Sequence, residues 1–154
     1  VLRYEGVSNV GFGYGPPVST PTVMLATMQR VGPTWAVVKW QSYLNGQLNG
    51  ERYSLASAAV PSGGVFLPQA VLAALKAGQV LDTDPITGVT VSVAQTPLNI
   101  GGRQLLVLVH EGQSFRRLYG YDRQSGMLIY YLSSSQEGVS QFGTGVQLTG
   151  VSGR

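Results

Sequence analysis

Three short apolar runs between residues 105 and 132 constrain the fold more than any other part of this sequence. All three are rich in β-branched and aromatic residues, and the breaks between them contain Gly112 and Gly126, as is typical of a β-meander. The first and third runs are apolar on both faces. We therefore expect this part of the sheet to be covered on both sides and to lie at the centre of the fold. The runs are Leu105–His110, Ser114–Tyr121 and Met127–Leu132.

The break between the second and third runs repeats a pattern found earlier in the chain. Asp122–Gly126 and Asp84–Gly88 both consist of an Asp, two further residues, a Ser or Thr, and a Gly. The Asp can accept hydrogen bonds from backbone N–H groups of the turn, and the Gly can adopt a positive φ. Both segments are predicted to be hairpin turns with the glycine at positive φ. The second turn then places Tyr121 opposite Met127, Tyr119 opposite Ile129 and Arg117 opposite Tyr131.

The remaining elements follow from alternating apolar residues and from turn signals. The run Thr34–Tyr43 places Trp35 and Ala36 on opposite faces, and the Asn45-Gly46 pair that follows is a strong hairpin signal. One helix is predicted over residues 68–77, because Pro68 suits a first helical turn and Gly78 suits a helix end. The other expected strands are Val1–Val7, Thr22–Val31, Arg52–Val60, Gln79–Thr83, Val89–Ala94 and Val146–Val151.

These elements predict an all-β, mostly antiparallel fold with nine or ten strands and one short helix. Successive hairpins favour up-and-down connectivity, which gives a curved sheet, a barrel or a half-barrel, and a β-sandwich is the alternative. The length of 154 residues suits a single β domain over residues 1–154. Within it we expect an N-terminal strand with a Gly/Pro-rich arm over residues 1–21 and a main body over residues 22–154. The chain opens at Val1 directly in a strand-like segment, which we interpret as a mature or excised domain.

The charge content of the sequence excludes some classes of function. Charged residues are only 11% of the chain, against about a quarter in an average protein. Basic residues exceed acidic ones by ten to seven but are scattered, so a nucleic-acid partner is not expected. Cysteine is absent and no apolar run is long enough for a transmembrane helix. The low charge and the many Ser, Thr, Gly and Gln residues favour an exported protein, in the periplasm, on the cell surface or secreted.

Residues suited to catalysis or metal binding are few. Asp82 and Asp84 could hold a cation, but calcium loops need more oxygen ligands, so we predict that Asp84 caps the turn and that Asp82 is solvated. His110 is the only histidine, and no Gly-framed nucleophile accompanies it. We expect His110 to be a hydrogen-bonded residue at a strand end. The sequence therefore predicts no catalytic residues, no metal, no cofactor and no enzyme activity.

The most suggestive surface combines aromatic and basic side chains on one face of the meander. Such a face can pack in the interior, contact a ligand, or stack on the bases of single-stranded nucleic acid, although no RNA-recognition pattern is present. We predict a non-catalytic binding domain that holds a small apolar ligand or lipid in a barrel-like cavity between the helix and the sheet. The alternative is a structural module that binds another cell-envelope protein. The predicted ligand-binding residues are Phe115, Arg117, Tyr119, Tyr121, Tyr131 and Leu72.

Overall fold

The residues that the structure describes form one antiparallel sheet of eleven strands with a single short helix. The structure is a computed structural model that describes residues 1–13, 15–33, 35–57 and 64–152. It confirms the all-β class with one short helix, and the strands belong to one sheet, so the sandwich alternative does not apply. The strands are β1 (Leu2–Phe12), β2 (Val18–Val31), β3 (Trp35–Leu44), β4 (Gln47–Ser57), β5 (Val80–Thr83), β6 (Thr90–Val93), β7 (Leu98–Ile100), β8 (Arg103–Glu111), β9 (Phe115–Asp122), β10 (Leu128–Glu137) and β11 (Ser140–Val151), and the helix is α1 (Gln69–Ala74).

The first and last strands lie side by side in the middle of this sheet. The strand order is β4-β3-β2-β1-β11-β10-β9-β8-β6-β5, and β7 pairs with β8 beside that path. Every strand pair is antiparallel. The β1–β11 pairing joins the N-terminal hairpins to the C-terminal meander, and the sheet remains open, with β4 and β5 at its edges.

The sheet is strongly curved, because side chains from distant strands meet on one of its faces. Arg52 on β4 and Tyr131 on β10 line one cavity, although their strands are five positions apart in the sheet. In a flat sheet five positions would separate them by about 24 Å. We call the face that carries these residues the concave face and the opposite one the outer face. Register shifts in five of the strand pairs are consistent with this bending.

The meander β8–β10 is covered on both faces, as the sequence predicted. On the concave face Leu106, Leu108 and Tyr121 pack against Leu72 of α1 and against Leu67. On the outer face a second cluster contains Leu105, Val107, Val109 and Ile129, with Leu98 and Ile100 of β7 packed against it. We call the part of the concave face next to α1 the packed end.

Predictions made from short-range turn signals are confirmed. Gly88 and Gly126 have φ values of 69° and 75°, and Asn45 and Gly46 also have positive φ. The two Asp turns have the same hydrogen bonds. The side-chain carboxylates accept from Thr87 Oγ1 and from Ser125 Oγ, each at 2.6 Å. Asp84 therefore caps its turn as expected.

The predicted register of the β9–β10 pair is wrong. Tyr121 lies opposite Leu128, Tyr119 opposite Tyr131, and Arg117 opposite Ser133. An irregularity between Leu128 and Tyr130 adds a residue to β10 and shifts all later pairs. Met127 instead forms an isolated bridge with Phe66.

Several predicted boundaries also differ from the observed ones. The described residues form eleven strands, close to the predicted number of about nine or ten. The helix covers only Gln69–Ala74, because Leu75 already has extended backbone angles. Strand β4 begins at Gln47, before the predicted start at Arg52, and therefore includes the Asn49-Gly50 pair. Strand β2 begins at Val18, before the predicted start. The end of the predicted strand Arg52–Val60, at residues 58–60, lies outside the described residues, as does residue 34 of the predicted run Thr34–Tyr43.

Candidate ligand-binding site

Three hydroxyl groups lie side by side on the concave face, on the neighbouring strands β2, β1 and β11. Thr22 Oγ1 donates a hydrogen bond to Ser8 Oγ at 2.8 Å, and Ser8 Oγ lies 2.8 Å from Thr144 Oγ1. Thr144 is the register partner of Ser8, and Thr22 lies two residues from its other partner, so the three side chains share one face of the sheet. The three hydroxyls form a polar floor in a part of the concave face that α1 does not cover.

Aromatic rings stand beside this floor. The rings of Tyr4 and Trp40 have centroids 6.0 Å apart, and the guanidinium carbon of Arg52 lies 5.7 Å from the centroid of the Trp40 ring. Trp40 is held in place because its Nε1 donates to Ser54 Oγ at 2.8 Å. Trp40 is therefore fixed from β4 on one side and by Tyr4 on the other.

The floor and the aromatic rings enclose a cavity of about 470 Å³. Its lining comes from β1 to β4 on one side and from β10 and β11 on the other, and it includes no residue of the helix. Residues that line it and matter most here are Ser8, Thr22, Met24, Trp40, Arg52 and Tyr131. We call this region the open end of the concave face. The cavity thus lies away from the helix, whereas the sequence analysis placed it between the helix and the sheet.

Tyr119 stands beside the open end and connects it to the meander. Its ring centroid lies 5.2 Å from that of Tyr131 and 4.9 Å from that of His110. Burial raises the pKa of the Tyr119 phenol and Tyr131 raises it further, while the charges of Arg117 and Arg52 act in the opposite direction. Two arginines from distant strands therefore influence the same hydroxyl.

The predicted site residues share the concave face but divide between its two ends. Tyr131 lines the 470 Å³ cavity. Phe115 lines a separate cavity of about 580 Å³ and lies 4.8 Å from the guanidinium carbon of Arg117. Tyr121 is fully buried and donates to the carbonyl oxygen of Gly64 at 2.8 Å, and Leu72 packs in the same cluster. Tyr121 and Leu72 therefore belong to the packed end.

Trp40, Arg52 and the three hydroxyls were not among the predicted site residues. Alternation along Thr34–Tyr43 already placed Trp40 on the same face as Val38 and could have marked it. Arg52 had no such signal. Counting from the Asn45-Gly46 turn places Glu51 opposite Trp40, but a register shift between Ser42 and Tyr43 places Arg52 there instead.

His110 lies near the end of β8, as predicted, but among the described residues its side chain does not make the expected hydrogen bond. Its Nε2 atom is buried and has no hydrogen-bond partner among the described residues. Burial lowers the pKa of the imidazole, and the charge of Arg117 lowers it further, so the ring is neutral at pH 7. In a neutral state the ring packs against Tyr119 without the cost of burying a charge.

Comparisons with known proteins give no relative for this chain. No protein family, curated protein or solved structure matches it. Within the described ranges, no group of three or more His, Cys, Asp or Glu side chains could hold a metal ion. In the same part of the chain, no helix is long and apolar enough to cross a membrane.

Proposed function

We propose that this protein is a non-catalytic binding domain that holds a small amphipathic or lipid-like molecule in the open end of its concave face. The observation that carries this proposal is the cavity of about 470 Å³ with the Trp40 ring on one side and a floor of hydroxyls. Pockets for small molecules typically have about 300–1,000 Å³, with apolar walls and a few polar groups that orient the ligand. Met24 adds an adaptable apolar contact to this lining.

The chemistry of the hydroxyls favours binding over catalysis. Ser8, Thr22 and Thr144 bond to one another, and the described structure shows no hydrogen bond from them to a histidine or a carboxylate. A hydroxyl nucleophile needs an adjacent base that takes its proton. The arrangement instead supplies weakly polar groups that can accept or donate hydrogen bonds to a bound molecule.

Export is a further part of this proposal. It is supported by a surface that relies on Ser, Thr, Gly and Gln more than on charge, since only 11% of the residues are charged. Fractionation of cells that express the full-length protein with a C-terminal epitope tag tests it. Recovery of the tagged protein only from the cytoplasmic fraction would contradict export.

Titration with the neutral dye N-phenyl-1-naphthylamine, whose fluorescence rises in apolar surroundings, tests the binding proposal. We expect saturable binding to the wild-type protein. Ser133→Phe, which adds a ring to the lining of the cavity, should weaken binding about tenfold or more. Ser134→Phe is the matched control, because the next residue faces the other side of the sheet and does not line this cavity.

Three outcomes of the titration decide the matter. Weakened binding for Ser133→Phe alone supports the proposal. Equal affinity of the two variants and the wild type places the dye elsewhere and contradicts the proposed cavity. Absence of saturable binding to the folded wild type contradicts the function itself.

A second candidate function, an assembly module, is favoured by the free edge of the sheet. Strand β4 has eleven residues, and no described strand pairs with its outer side. Tyr53 and Leu55 on this strand are 61% and 58% exposed. Long exposed edge strands are templates for pairing with another chain. The partner that fits best is a second copy of this protein, because two β4 strands can pair antiparallel about a twofold axis.

Sedimentation velocity separates the two candidates. If β4 mediates assembly, the wild type is a dimer at micromolar concentration and Leu55→Lys is a monomer. Val80→Lys, at the opposite edge and 60% exposed, is the control and should remain dimeric. A wild type that is monomeric throughout removes the assembly candidate.

A further inference from the structure

The ion pairs lie on one face of the sheet, and Arg52 and Arg117 lie on the other. All four ion pairs among the described residues involve side chains that alternation places on the outer face. Their charges are already balanced, and two of the four pairs are well exposed on both partners, so they have little attraction left for a ligand. This includes Glu51, which contributes to the cavity lining but is paired with Lys39. The pairs are Arg3–Glu5 at 2.7 Å, Lys39–Glu51 at 2.9 Å, Arg103–Asp122 at 3.3 Å and Arg116–Glu111 at 3.9 Å.

The concave face carries two arginines that have no such partner. Among the described residues, no carboxylate lies within 4.0 Å of a nitrogen of Arg52 or Arg117. Each guanidinium rests on an aromatic ring instead, 5.7 Å from the centroid of Trp40 and 4.8 Å from that of Phe115. A ring holds one flat side of each guanidinium, and Arg117 also donates a hydrogen bond to the Tyr119 hydroxyl, so the remaining N–H groups of the two arginines can donate to an anion.

Curvature of the sheet brings these two arginines to the same region. Strands β4 and β9 are six positions apart, which would be about 29 Å in a flat sheet. Arg52 nevertheless lines the cavity, and Arg117 lies directly opposite Ser133, another residue of the lining. Both charges also act on the Tyr119 hydroxyl, whose ring contacts that of Tyr131 in the same lining. Unbalanced positive charge in a concave, partly apolar site raises the local positive potential.

We propose that Arg52 and Arg117 form an anion-binding site beside the cavity, and that the natural ligand is an anionic amphiphile. This inference rests on the binding function proposed above and adds the chemical class of the ligand. Its carboxylate or phosphate group accepts hydrogen bonds from the two guanidinium groups. Its apolar part lies in the cavity against Trp40 and Met24. The ligand is thereby distinguished from a neutral lipid by charge and from a free anion by its apolar part.

Displacement of N-phenyl-1-naphthylamine tests this inference with three ligands that share one alkyl chain. Dodecanoate, dodecyl phosphate and dodecanol, each used below its critical micelle concentration, differ only in the head group. Against the wild type, at least one anionic ligand should displace the dye at about a tenfold lower concentration than dodecanol, because a charge-assisted hydrogen bond contributes that much or more. The better of the two anions identifies the head group as carboxylate or phosphate.

Substitutions locate the effect. Arg52→Gln and Arg117→Gln should each weaken displacement by the preferred anion about tenfold more than displacement by dodecanol. Arg116→Gln is the matched control, because this neighbour of Arg117 faces the outer side, where it pairs with Glu111. Its affinity for all three ligands should equal that of the wild type. Thermal unfolding of each variant verifies that it is folded.

The salt dependence of the wild type gives a second measurement that needs no variant. Affinity for the anion should fall as sodium chloride is raised, while affinity for dodecanol should not. If the dye binds and all three ligands displace it equally, the anion site is overturned and the proposed function stands. Equal losses in Arg116→Gln and Arg117→Gln also overturn it. Failure of the dye to bind at all contradicts the proposed function as well.

Discussion

The two ends of the concave face use the same strands for different purposes. Strand β9 supplies the fully buried Tyr121 to the packed end, and its exposed Arg117, nearer the start of the strand, lies on the open side. Strand β10 likewise supplies the buried Leu128 and, farther along, Ser133 of the cavity lining. The helix and Leu67 cover only one end. Apolar side chains therefore lie where the helix and Leu67 cover the face, and the uncovered end can carry polar and charged groups.

We expect the largest effect on stability from alkaline pH, because it acts on the buried tyrosines. Burial raises the pKa of Tyr4 and of Tyr121 well above the ordinary value of 10.0. Their protonated forms stabilise the folded state fully below pH 10. That stability is lost as the pH rises from 10 towards the folded pKa values, because the unfolded chain then releases protons that the folded chain retains.

Thermal unfolding monitored by phenolate absorbance measures this loss. We expect the midpoint to fall steadily above pH 10, and we expect phenolate to form largely together with unfolding. Tyr121→Phe removes one of the titrating groups, so its midpoint should depend less steeply on pH in the same range. A midpoint that does not change between neutral pH and pH 11 would show that the packed end does not resist ionisation.

Next in size is the substitution of one glycine at the packed end. Gly126 has a φ of 75°, and a Cβ atom added there would collide with the backbone carbonyl oxygen of Leu67. Gly126→Ala should reduce the free energy of unfolding by about 4 kcal/mol, since backbone strain and overpacking add.

Gly88 is the control: its φ is 69°, but the space around it is open. Gly88→Ala should cost only about 1 kcal/mol in urea unfolding. Equal costs would show that tertiary contact does not distinguish the two turns.

Leu72→Ala tests the contact between the helix and the sheet. Leu72 is 3% exposed and is the one buried residue of α1. Its truncation should lower the free energy of unfolding by about 3 kcal/mol, because it leaves a cavity in a packed cluster. The affinity for N-phenyl-1-naphthylamine should stay the same, since Leu72 does not line the open end. A parallel loss of dye affinity would show that the two ends are not independent.

The sequence could predict those parts of this comparison that depend on short-range signals. The Asp84 and Asp122 turns, the Asn45-Gly46 hairpin and the doubly covered meander all follow from residue types close together in the chain. The open end depends on register shifts that the residue types do not predict. One register shift turns Arg52 inward and Glu51 outward, and another places Tyr131 opposite Tyr119. Since a shift of one residue reverses the face of every later side chain, charge placement could not be derived from alternation alone.

The smallest expected effect on stability belongs to the floor of the open end. Thr22→Val keeps the shape of a side chain that is 3% exposed but removes the hydroxyl that donates to Ser8 Oγ. Because Ser8 retains Thr144 as a partner, the free energy of unfolding should fall by only about 1 kcal/mol. Affinity for the neutral dye should not fall, since a methyl group replaces a hydroxyl in the lining. Urea unfolding and dye titration of Thr22→Val beside Leu72→Ala measure both quantities. A stability loss as large as that of Leu72→Ala would mean that the hydroxyls of the open end contribute as much to the free energy of unfolding as the packed end does.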